Sequence, residues 1–134
     1  MTRFALERRA LQLLILAAGC VPVLAGAAGA WRGARLLSGW PGAAADSHFR
    51  YLSGLLLGIG LILWGCIPTI ERRGVIVRTL TLVVVTGGLS RLLGWLIAGD
   101  PGRLRWTLVM ELGVTPLICL WQFRIARRES ARPS

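Results

Sequence analysis

Apolar residues fall into four long blocks separated by short polar breaks. Leu11 to Ala30 is a run of twenty residues without a charge, and Leu52 to Ile70 is a second apolar run. A third extends from about Val75 to Ile97 and a fourth from about Leu104 to Phe123. About twenty apolar residues suffice to carry a helix across the hydrocarbon of a bilayer. The pattern predicts an all-α integral membrane protein. Its expected form is an antiparallel four-transmembrane-helix bundle, one domain over residues 1–134, with helices near 11–30, 50–70, 75–97 and 104–123.

The breaks have recognisable chemistry. Pro68 and Glu71-Arg72-Arg73-Gly74 stop the second run, and Gly99-Asp100-Pro101-Gly102 reads as a turn. Pro116 lies inside the fourth run and removes one backbone donor, so a kink is expected there. Residues 31–45 are the longest connection. Trp31, Leu36, Leu37 and Trp40 alternate with Arg32 and Arg35 before Pro41-Gly42. Such a mixture fits either a short helix in the headgroup layer or an irregular loop.

Composition sharpens the membrane reading. Of 134 residues, 54% are hydrophobic and only 16% charged, where a soluble domain carries about 25%. All sixteen basic residues are arginine, and the net charge is +10. A nucleic-acid binder would gather that charge on one face of a soluble domain. Here the arginines sit at the ends of apolar runs, so nucleic acid is not an expected partner. Ten arginines fall at the N-terminus, the 71–78 connection and the C-terminus, against five in the other connections. That imbalance predicts both termini in the cytoplasm of a multi-pass protein of the bacterial cytoplasmic (inner) membrane, with Trp31, Trp40, Trp95 and Trp106 at the outer interface and Trp121 at the inner.

Cys20, Cys66 and Cys119 each lie within an apolar run and none belongs to a C-x-x-C pair, so they read as small apolar residues. Ala17-Ala18-Gly19-Cys20 has the look of a lipoprotein signal, but the chain stays apolar through Ala30 where a tether would be polar. Cys20 is therefore expected to be neither lipidated nor a cleavage site. Gly26, Gly29 and Gly33 read as surfaces for close helix packing.

The candidate chemistry is a set of charges close to, or inside, the apolar runs. Asp46, Arg50, Gly54, Gly58, Leu61 and Gly65 fall within roughly 120° of one another on a helix, an acid and a base followed by small residues. Arg91 stands six residues before the outer end of the third run, and Glu111 seven residues into the fourth. At 1.5 Å per residue, both lie about 10 Å inside the membrane. A lone charge there costs at least about 2.5–3.5 kcal/mol, so the two are expected to pair. Gly87, Gly88 and Gly94 around Arg91 allow a close neighbour, and Thr107, Thr115 and Gln122 extend a polar stripe from Glu111. Arg50 sits where the helix dipole disfavours a cation, which Asp46 can offset by capping and pairing. His48 and Tyr51 share that rim, and a single histidine does not suggest a metal site.

The segments Asp46-Ser47-His48-Phe49-Arg50-Tyr51-Leu52-Ser53-Gly54, Ile67-Pro68 with Ile70-Glu71-Arg72-Arg73, Gly87-Gly88-Leu89-Ser90-Arg91-Leu92-Leu93, and Glu111-Leu112 with Pro116 carry a resemblance. Together, over about Leu11 to Arg127, they resemble a bacterial family of small membrane proteins, the domain of unknown function DUF4345, itself similar to the DoxX-like four-helix proteins. The resemblance implies a four-helix bundle in the cytoplasmic membrane and brings no activity, substrate or cofactor.

The expected function is a non-enzymatic membrane module. Its binding residues are Asp46, His48, Arg50, Tyr51, Arg91 and Glu111, forming a polar pocket in the outer leaflet. A membrane lipid or lipid-like ligand, a membrane protein partner or a second copy of the chain would fill it. The alternatives are a buried pair that only fixes helix register and a small oligomeric proton-coupled transporter using Glu111. An ion-paired Glu111 would serve the transporter poorly, because discharging it strands the arginine. No catalytic residues, metal ligands or cofactor site are expected, since the sequence shows no nucleophile–base pair, ligand set or phosphate loop.

Overall fold

A computed structural model describes residues 3–36, 42–99 and 105–131, and these are helical almost throughout. Helix α1 spans Arg3–Arg32 and runs into a 3-10 turn at Gly33–Leu36. Helix α2 spans Ala43–Cys66 and is followed by a 3-10 segment, Ile67–Arg72, interrupted at Thr69. Helix α3 spans Gly74–Ala98. The last helical stretch comprises α4 (Arg105–Val109), a π-helical turn (Met110–Val114) and α5 (Thr115–Ser130). Four stretches are long and apolar enough to cross a membrane: Arg3–Leu36, Ala43–Arg72, Gly74–Ile97 and Arg105–Ser130. Large apolar side chains such as Leu13, Leu24, Leu61, Leu82, Leu96 and Leu117 are exposed along them. That much uncovered apolar surface suits lipid as the solvent.

The helices are longer than the apolar runs. α1 begins eight residues before Leu11, because Phe4 to Ala10 consists largely of good helix formers. α2 begins at Ala43 rather than near residue 50. Gly42, at φ 94°, sets the start, Ala43-Ala44-Ala45 propagate the helix, and Asp46 suits its positive N-terminal end. Arg50 therefore stands in the second turn, not the first. α5 continues to Ser130 with Arg127 and Arg128 in its last turn, where the dipole favours cations. Within the 31–45 connection, Trp31 and Arg32 finish α1 and residues 33–36 form one 3-10 turn. Leu37 and Trp40 lie outside the described residues, as do Asp100, Pro101 and Gly102. Gly99 ends α3 in the left-handed conformation, φ 74°, its N–H donating to Trp95 O at 2.8 Å.

The contacts divide the chain into two compact units, one made of residues 12–68, the other of residues 1–11 with 69–134. In the first, α1 and α2 meet along Gly19, Gly26, Gly29 and Gly33 on one side and Trp64, Leu57, Ser53 and Asp46 on the other. As residue numbers rise along α1, those of its neighbours in α2 fall. A Cβ on Gly26 would lie 2.8 Å from Leu57 Cα and 2.8 Å from Ser53 O, so this is backbone against backbone. Trp64 Nε1 donates to Leu16 O at 3.1 Å, and Gln12 Nε2 donates to Ile67 O at 2.8 Å. Gly26, Gly29 and Gly33 are thus packing surfaces, as the sequence suggests.

The stripe expected on α2 holds only at its upper end. Asp46, Ser53, Gly60 and Cys66 are the buried positions, whereas a Cβ at Gly54, Gly58 or Gly65 would meet nothing within 4 Å. Each four-residue step advances about 40° beyond a full turn, so the series 46, 50, 54, 58 winds away from α1 while steps of seven stay near it.

In the second unit Leu11, Ile70, Val77, Ile118 and Ile125 are buried together with Gln122. Gln122 Nε2 donates to Ile70 O at 2.8 Å. Arg8 reaches Glu71 through two bonds, Nε to Oε2 at 2.9 Å and Nη2 to Oε1 at 3.1 Å. Glu7 accepts from Arg128 and faces Arg3 at 3.6 Å.

Candidate functional site

The charged residues singled out in the sequence fall into two groups, one in each unit. In residues 69–134, Arg91 of α3 and Glu111 of the π-helical turn form a two-pronged pair. Nε donates to Oε2 at 3.1 Å and Nη2 to Oε1 at 3.2 Å. The side chains are 37% and 16% exposed, so the carboxylate is covered more than the guanidinium. The fork-on-fork geometry fixes direction as well as distance.

Two local features allow this pair. Gly88, one turn before Arg91, lets the last helical stretch come close: a Cβ there would sit 2.8 Å from Leu112 Cδ2 and 2.9 Å from Glu111 Cβ. Gly87 and Gly94, also expected to help, meet nothing within 4 Å. The second feature is the π turn. Pro116 has no N–H for the carbonyl of Leu112, and its ring crowds that carbonyl. The helix answers with a wider turn. Thr115 N–H bonds to Met110 O, five residues back, and Thr115 Oγ1 donates to the same oxygen at 2.8 Å. The expected kink therefore takes the form of a π turn, with Glu111 as its second residue. Such turns inside helices are frequent at functional sites.

The polar stripe expected from Glu111 is divided by this turn. Thr115 is occupied with Met110, and Gln122 is buried against Ile70. Gln122 Oε1 is buried without a hydrogen-bond partner among the described residues.

In residues 12–68 the site is organised by Asp46. Its Oδ1 accepts the Ala34 N–H at 2.7 Å and its Oδ2 accepts Arg50 Nε at 2.8 Å. Arg50 Nη1 donates to Ala30 O and Trp31 O, both at 2.8 Å. Asp46 thus pairs with Arg50 as expected, but it makes no side-chain cap on its own helix; it holds the turn that follows α1. Arg50 in turn covers two carbonyls of the last turn of α1, groups that a helix end leaves without internal donors. Gly33, φ 66°, lies directly against Asp46 and Arg50, where both its backbone angle and the lack of a Cβ are needed. His48 and Tyr51 are exposed on α2. Arg32, Arg35 and Arg50 line an open depression of about 380 Å³ together with Trp31 and Leu36.

Arg50 and the Arg91–Glu111 pair belong to different units, and each has its partners within its own. Two further contacts escape sequence reasoning. Glu71 reads there as part of a charged break, yet its side chain is 10% exposed and clasped by Arg8. Pairing residues 63 apart leaves no periodic signal. The Asp46–Ala34 bond is likewise invisible, because it depends on how the connection folds back.

No curated protein and no solved structure matches the chain. Residues 10–122 match a family described as Domain of unknown function (DUF4345), a span holding both the Asp46–Arg50 and the Arg91–Glu111 groups, and the chain belongs to that family.

Proposed function

We propose that the chain is a non-enzymatic module of the bacterial cytoplasmic membrane, an antiparallel four-helix bundle with both termini in the cytoplasm. In this reading it holds the polar end of a lipid-like ligand, or a membrane partner, at outer-leaflet polar groups: Arg91 and Glu111 in one unit, and Arg50 with Asp46, His48 and Tyr51 in the other. The observation that carries the reading is the Arg91–Glu111 pair on a π turn within apolar helices. Ionisable groups are expensive at that depth and point by default to a site. The partly exposed guanidinium favours a group that can exchange partners over one sealed for register alone. A proton carrier would need Glu111 to leave both of its bonds to Arg91, so transport by that residue is disfavoured. The family match carries no activity with it, and the ligand is inferred from the site alone.

Native mass spectrometry of the detergent-extracted chain tests the proposal. Wild-type protein is expected to carry a lipid-like adduct. The double variant Arg91→Leu/Glu111→Gln should fold and lose it. A folded double variant that keeps the adduct removes the pair from the function. Labelling single cysteines placed at positions 2 and 100, in an otherwise cysteine-free chain, should succeed from opposite faces of the membrane; labelling from one face overturns the topology.

A further inference from the structure

The depression beside the end of α1 has a composition that nothing else in its unit shares. Residues 12–68 contain three arginines, Arg32, Arg35 and Arg50, and all three line it. The one acidic residue of the same segment, Asp46, is bonded to Arg50 and to the Ala34 N–H. Three guanidiniums against one carboxylate leave an excess of positive charge around a cavity of about 380 Å³. Trp31, 86% exposed, and Leu36 supply an apolar wall.

We propose that this depression binds a phosphate-type oxyanion, as borne by an anionic lipid headgroup or by a soluble phosphate. It rests on the reading above of the chain as a membrane binding module, and deepens it by naming the ligand's chemistry and a separate set of residues. Arg50 is already held in place by Asp46 and two carbonyls through Nε and Nη1, and its Nη2 has no bond among the described residues. A pre-positioned guanidinium loses little freedom when it binds an anion. The end of α1 presents carbonyls that would repel an anion. Arg50 covers two of them, at Ala30 and Trp31, which weakens that repulsion where it would be strongest. Several guanidinium-bearing side chains lining one depression suit the many oxygens of a phosphate better than the two of a carboxylate. The tryptophan and leucine wall suits a charge attached to an apolar body at a membrane interface.

The test uses the full chain in nanodiscs of phosphatidylcholine, with or without phosphatidylglycerol. Native mass spectrometry after extraction reads how much phosphatidylglycerol is retained relative to phosphatidylcholine. Inorganic phosphate, added by titration calorimetry, is the soluble probe. Wild-type protein is expected to prefer phosphatidylglycerol. Arg32→Gln/Arg35→Gln should weaken that preference by about tenfold per arginine removed, as expected for losing a charge-assisted bond. Arg32→Lys/Arg35→Lys, which keeps the charge without the fork, should fall between. Arg105→Gln/Arg124→Gln removes the same charge from two other exposed positions and should change nothing. Circular dichroism confirms folding, and Arg32→Gln alone serves if the double variant fails to fold. Saturable binding of inorganic phosphate that Arg32→Gln weakens, without a phosphatidylglycerol preference, supports the same site with a soluble ligand. Two outcomes overturn the inference: neither probe binding, or the control pair losing as much as the Arg32/Arg35 pair. Either result would leave the Arg91–Glu111 measurements intact, so failure here is distinct from failure of the wider reading.

Discussion

Each unit spends its central arginine differently. Arg50 serves backbone: two of its bonds go to carbonyls at the end of α1, and its carboxylate partner holds the Ala34 N–H of the turn that follows. Arg91 serves one side chain, Glu111, carried on a turn that departs from α-helical geometry. The first arrangement ties a connection to a helix and is woven into the fold. The second is a side-chain pair that can be removed from both sides without leaving an orphan. Similar charges in similar apolar surroundings can therefore differ in how far they are structural, and the partners they choose reveal the difference.

The largest effect is expected at the helix contact beneath the Arg50 group. Gly26→Leu should cost about 3 kcal/mol or more, because the side chain meets the Leu57 and Ser53 backbone, which cannot turn aside. Thermal unfolding in detergent, followed by circular dichroism, measures it; an unchanged Tm would mean that α1 and α2 do not meet there. Arg50→Leu comes next. It leaves Asp46 and two carbonyls short of a donor at once, and should lower Tm by several degrees. Arg50→Lys should recover only part, since an ammonium cannot reproduce the fork.

The Arg91–Glu111 pair should behave differently. Arg91→Leu or Glu111→Gln alone should cost roughly 1–3 kcal/mol, discounted for the exposed guanidinium, while the double variant should cost less than the two losses added. Simple addition of the two losses would show the pair uncoupled. Arg8→Gln should cost roughly 1–2 kcal/mol, since it strands a covered Glu71 carboxylate while the glutamine keeps a donor, with a discount for the partly exposed guanidinium it removes. Gly58→Leu is the smallest expected change, within about 0.5 kcal/mol, because that position faces open space within the chain. A large loss at Gly58 would reveal a contact with another copy or a partner.

Much of this was written in the pattern of apolar residues. Run lengths and proline positions locate the four helical stretches, and the matched depths of Arg91 and Glu111 foretell their pairing, because a charge in hydrocarbon must find its opposite. Gly26, Gly29 and Gly33 announce a close helix contact for a similar reason: only residues without bulk let backbones approach. What the pattern could not supply is the outcome of competition among several acceptable partners. Gly54 and Gly58 look as suitable as Gly26, yet the 40° drift of each four-residue step carries them off the contact face. Pro116 signals a disturbed helix, but the π turn that places Glu111 depends on Thr115 reaching back to Met110. Asp46 could cap its own helix, yet it holds Ala34, a choice made by a turn that exists only once α1 and α2 are packed. Length, hydropathy and intrahelical spacing are local and survive in the sequence. Which face meets which, and which donor an acid finally accepts, are decided by contacts between residues far apart in the chain.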